Sequence, residues 1–87
     1  MSREHLRRAS DELREAAGHA AGDERERLDG QADQLADLAG TGADHGRLAR
    51  HENVLRELAS ATDGEASDRI DAALSAIRDY RETIEGV

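Results

Sequence analysis

Four histidines, one tyrosine and twenty carboxylates are the side chains here that could do chemistry. Histidine can ligate a metal or move a proton near neutral pH. Helical bundles that hold carboxylate-bridged metal pairs place Glu three residues before His on an inward face. In this chain the residues three before His5, His19, His45 and His51 are Ser2, Ala16, Gly42 and Leu48. His-Glu-x-x-His is also absent, so neither a dinuclear centre nor a zinc-protease site is expected. A loose surface site built on His5 or His45 with neighbouring acids is the remaining metal reading. Ser10, Ser60, Ser67 and Ser75 all have helix or turn explanations, and the glycines are spaced as helix stops rather than as a phosphate loop. There is no cysteine, so no thiolate and no disulfide. With so many carboxylates some close pair is inevitable, and proximity alone does not indicate acid–base catalysis. No catalytic residue and no cofactor are expected, and the chain reads as non-enzymatic.

The elements that would position these groups are helices. The first runs from about Ser2, a candidate N-cap, to Ala20, with Leu6, Ala9, Leu13, Ala16/Ala17 and Ala20 on one stripe. On its wet side, Arg7–Asp11 and Arg8–Glu12 are spaced as i,i+4 pairs. Gly22 punctuates its end, with Gly18 as the alternative stop one turn earlier. The second helix is expected from Asp23, which with Glu26 has a capping-box spacing, and carries Leu28, Ala32 or Gln31, Leu35 and Leu38/Ala39. Gly30 costs that helix about 1 kcal/mol relative to Ala unless close packing requires it. Gly40-Thr41-Gly42 reads as a stop. The third helix starts near Asp44 and carries Leu48, His51, Leu55 and Leu58/Ala59, with Val54 alongside, until Thr62-Asp63-Gly64. The fourth begins between Asp63 and Ser67 and has the strongest stripe: Ile70, Ala73/Leu74, Ile77, Tyr80/Arg81 and Ile84, extending toward Val87.

The chain matches itself without a gap at an offset of 42 residues, with 10 identities over residues 6–40. Leu6 falls on Leu48, Arg8 on Arg50, Leu13-Arg14-Glu15 on Leu55-Arg56-Glu57, Gly22 on Gly64 and Asp37 on Asp79. This suggests a duplicated αα-hairpin, residues 2–40 and 44–82, within a single helical domain spanning 1–87. The expected fold class is all-α: two αα-hairpins forming an antiparallel up-down-up-down four-helix bundle, either within one chain or completed across a homodimer.

That topology gathers the starts of helices one and three and the ends of helices two and four at one pole. His5, His45, Arg47, Tyr80, Arg81, Glu82 and Glu85 are expected there and, with His51, form the candidate interaction site. Tyr80, the one aromatic side chain, is either a partner anchor or, preferably, a lid on the core with its hydroxyl wet. His51 stands where the first hairpin has Ala9. It reads first as a large residue packed opposite a small one, and second as a pH-sensitive element or ligand.

Composition narrows the partners. Twenty Asp and Glu oppose twelve Arg, with no Lys, for a formal charge of −8. Binding to nucleic-acid phosphates or an anionic membrane is therefore disfavoured. Nine Leu and three Ile, set among sixteen Ala, make a thin core that would gain from further burial by self-association. The charged N-terminus, Met1-Ser2-Arg3-Glu4-His5, lacks the apolar segment of a signal peptide, and no run approaches a membrane span. A cytoplasmic location is expected. The acidic, Lys-free composition suits a salt-rich cytoplasm, since at about 1 M salt the Debye length falls to about 3 Å and self-repulsion is screened.

With Asp44-His45-Gly46-Arg47-Leu48-Ala49-Arg50-His51 and Tyr80-Arg81-Glu82-Thr83-Ile84-Glu85-Gly86-Val87, the acidic chain resembles a family of small uncharacterised proteins from halophilic archaea. The resemblance implies a salt-loving cytoplasm and assigns no activity or residue role. The functional expectation is a helical module that contacts a protein partner or itself. The alternative is a bundle that binds a small ligand or metal at the His5/His45/Tyr80 pole.

Overall fold

In a computed structural model that describes residues 3–84, four helices follow one another through short loops. They are α1 (Arg3–Gly18), α2 (Gly22–Thr41), α3 (His45–Ala61) and α4 (Gly64–Arg81). They form an antiparallel up-down-up-down bundle with extents of 36 × 20 × 16 Å. The apolar stripes set the orientation of each helix. Leu6, Leu13, Leu28, Leu35, Leu48, Leu55, Leu58, Ile70 and Ile77 are all fully buried, because side chains three and four residues apart share one helical face.

Both hairpins turn in the same way. Gly22 and Gly64 open α2 and α4 with φ of 60° and 57°. This left-handed conformation costs a residue with a Cβ but not glycine. The helix starts Arg3 and His45, like Gly22 and Gly64, lie 42 residues apart.

Local details depart from the sequence expectations. The Asp23–Glu26 capping box does not form. Instead α2 starts one residue earlier, with Ala21 at its N-cap and no side-chain cap bond. Gly22 therefore begins the second helix instead of ending the first. Ser2 lies outside the described residues. Arg8 and Glu12 do not pair with each other: Arg8 bonds Asp79 of α4 at 3.0 Å and Glu12 bonds Arg69 of α4 at 3.1 Å. Partners on the neighbouring helix replace the i,i+4 partner. Gly30 has no neighbouring atom within 4 Å of where its Cβ would lie, so close packing does not require it.

The four seams between helices are unequal. α1 packs extensively on both α2 and α4, and α3 packs on α4, whereas α2 and α3 scarcely touch. In a bundle with two equivalent hairpins, the α2–α3 seam would match the α1–α4 seam. Residues 42 apart explain the difference. Ala9, Ala73 and Ala76 are fully buried, and their counterparts at this offset are His51, Gln31 and Gln34. Alanine lets helix backbones approach closely. Long polar side chains keep α2 and α3 apart and leave a groove between them.

Candidate functional site

At one pole, helix ends are held by specific bonds. The Asp44 carboxylate accepts the Arg47 backbone N–H at 2.7 Å and caps α3, as a residue of this type should. The loop before it is pinned from two sides. Arg3 Nη1 donates to the Gly40 carbonyl at 2.9 Å, and the Ala43 N–H donates to the Tyr80 hydroxyl at 3.3 Å. Tyr80 is only 6% exposed. Its ring closes the core, and its hydroxyl accepts the Ala43 N–H from the loop before α3.

Arg81 organises the other half of the pole. Its Nε–H donates to His45 Nδ1 at 3.1 Å, and its Nη1 donates to Glu52. Glu52 is buried, and Arg81 supplies its compensating charge. The other ring nitrogen of His45, Nε2, is buried with no hydrogen-bond partner among the described residues. Glu82 is exposed, and its backbone N–H continues the turn by donating to the Arg78 carbonyl at 3.1 Å. His5 is half-buried on α1 and, among the described residues, makes no hydrogen bond or ion pair to this cluster. Glu85 lies outside the described residues.

The pole therefore brings His45, Tyr80 and Arg81 together with Arg3 and Glu52, while Arg47 and His51 face a different place. That place is the α2–α3 groove, a cleft of about 410 Å³. Gln31, Gln34, Asp37 and Leu38 form its α2 wall, and Arg47, Arg50, His51 and Val54 form its α3 wall. His51 Nδ1–H donates to Gln31 Oε1 at 2.6 Å across the cleft. Burial first, and then the Arg47 charge, hold the His51 pKa below its ordinary value. The ring is consequently neutral at pH 7.

Arg50 and Asp37 are the counterparts of Arg8 and Asp79, whose ion pair spans the closed α1–α4 seam at 3.0 Å. Among the described residues, neither Arg50 nor Asp37 has an ion-pair partner, although both line the groove. The groove is thus amphipathic: Leu38 and Val54 supply apolar surface, two guanidinium groups line one wall, and a carboxylate and two amides line the other. Such a surface can receive a helix or an oriented polar ligand.

Sequence reasoning did not find Glu52 or the groove. One available signal was the offset itself, which places Glu52 on Ser10, another polar residue buried beside an apolar stripe. Ser10 Oγ donates to the Ala32 carbonyl at 2.7 Å, so this register position faces inward in both hairpins. Among the described residues, no group of three His, Asp or Glu could hold a metal ion, and no helix is long and apolar enough to cross a membrane.

No curated protein and no solved structure matches the chain. A family model does match it over residues 1–83, and the chain belongs to that family, a family of unknown function (DUF7553).

Proposed function

We propose that the protein is a non-enzymatic helical interaction module that docks a helical protein surface on its open α2–α3 seam. One observation carries this reading: the α2–α3 seam is open, while its counterpart, α1–α4, is packed. The opened seam leaves facing solvent two charged groups, Arg50 and Asp37, whose counterparts Arg8 and Asp79 pair within the chain. A helical surface packed over α2 and α3 would cover Val54 and meet the Arg47 and Arg50 side chains. The two hairpins are read as copies of one ancestral hairpin, one seam of which diverged from core packing toward recognition.

A photo-crosslinking residue at exposed Gln34 in the groove, compared with one at exposed Arg7 on α1, tests this in cells. The expected result is a protein adduct at position 34 only, with the purified captured protein binding saturably and losing affinity on Arg50→Glu. Equal labelling at both positions, or none at 34, would overturn the reading.

The setting proposed is a salt-rich cytoplasm. The charge of −8 and the absence of Lys support it. Helicity and melting temperature should rise from low to multi-molar salt as self-repulsion is screened. Unchanged circular dichroism across that range would remove the salt-adapted reading and leave the groove untouched.

A further inference from the structure

We infer that the occupant of the α2–α3 groove is the same groove of a second copy of this chain. This rests on the docking reading above and names its partner. The argument is one of complementarity under a twofold axis. Asp37 lies on the α2 wall and Arg50 on the α3 wall of one groove, and neither has an ion-pair partner among the described residues. A twofold axis along the groove, parallel to the helices, sets the partner's α2 over α3 and the partner's α3 over α2 while keeping residue heights. It therefore brings the partner's Asp37 to Arg50, and Asp37 to the partner's Arg50. Each copy regains twice over, between chains, the contact that Arg8 and Asp79 make within the chain at 3.0 Å. Twofold interfaces require this kind of self-complementarity.

Helix direction and dipole agree with the same axis. α2 and α3 are antiparallel, so the partner's α2 lies antiparallel to α3, as adjacent helices do in an antiparallel bundle. α2 has no basic residue in its last turn. The axis places Arg47, at the start of α3, beside the carboxyl end of the partner's α2, where a cation is favoured.

Sedimentation equilibrium of the full chain at about 0.5 M salt tests the inference, because ion-pair contacts survive at that Debye length. Circular dichroism on each variant checks the fold. The wild type should be dimeric. Asp37→Arg and Arg50→Asp should each weaken dimerisation about tenfold by replacing two attractions with two repulsions. The double variant, D37R with R50D, should restore it. A dimer indifferent to both single reversals would overturn the inference. So would a wild-type monomer at high concentration. If that monomer still yields an adduct with another protein at Gln34, only the choice of partner fails. If it yields no adduct, the docking reading fails too.

Discussion

The α1–α4 and α2–α3 seams occupy equivalent places in a bundle of two hairpins, yet one is closed and the other open. In the closed seam, buried alanines bring the backbones together, and Arg8–Asp79 and Arg69–Glu12 lace its edge. In the open seam the counterparts of three such alanines are His51, Gln31 and Gln34, and the counterparts of one ion pair stand unpaired among the described residues. The contrast shows how few substitutions convert core into surface. Three long or polar side chains stand where the closed seam has alanine, and packed interiors tolerate neither extra volume nor unsatisfied amides.

The strongest way to break the contrast is to open the closed seam. Ala73→Gln places the Gln31 side chain at a fully buried position. Overpacking and an unpartnered amide together should cost about 3 kcal/mol or more. At about 4–8 °C per kcal/mol, melting should fall by more than about 10 °C. On the open side, Gln34→Ala, which installs the residue of its counterpart Ala76, should stay within about 0.5 kcal/mol. Equal melting shifts for the two would show that the alanines do not decide which seam closes.

Next in size are two changes within the open half. Gly30→Ala installs the residue found at the equivalent Ala72 in a helix with room for it, and should stabilise by about 1 kcal/mol in thermal denaturation. A neutral or negative effect would reveal a packing role for Gly30. His51→Leu should also stabilise, by about 1 kcal/mol, as apolar burial replaces a desolvated imidazole. The sign of its pH dependence follows from the lowered pKa of His51. The unfolded chain takes up this proton near pH 6.5, before the folded chain does. The stability associated with neutral His51 is therefore complete above about pH 6.5 and declines as pH falls below it. The melting advantage of His51→Leu should widen from pH 7 to pH 5, and a constant gap would argue that His51 is not buried neutral.

The smallest effect separates the paired from the unpaired carboxylate. Asp79→Ala should cost about 0.2–1 kcal/mol, since both members of the Arg8–Asp79 pair are about half exposed. Asp37→Ala should cost nothing at high dilution, where association does not contribute to stability. A loss on Asp37→Ala under those conditions would mean that the open seam holds a contact within the single chain.

The helices were legible because their signals are local. Asp44 caps α3 through its own side chain, and the leucine and isoleucine stripes repeat at helical spacing, so each element carries its boundary and its inward face with it. Gly22 and Gly64 were legible as turn residues, although the Asp23 cap was not needed once the glycine conformation had turned the chain. The site was only partly legible. His45, Tyr80 and Arg81 meet at the pole, as topology requires, but Arg47 and His51 belong to the groove. Glu52 went unnoticed because its partner, Arg81, is 29 residues away on another helix.

Sequence alone thus determined the number of helices, their polarity and their buried faces, all of which depend on interactions within a few residues. It also supplied the offset of 42 that makes the two halves comparable. Only the tertiary structure decided which seam closes, which charges pair across helices and which stay free. Those outcomes depend on how closely two backbones can approach. That distance is set by the bulk and polarity of facing side chains from both helices at once, a property of the packed pair that neither strand of sequence carries by itself.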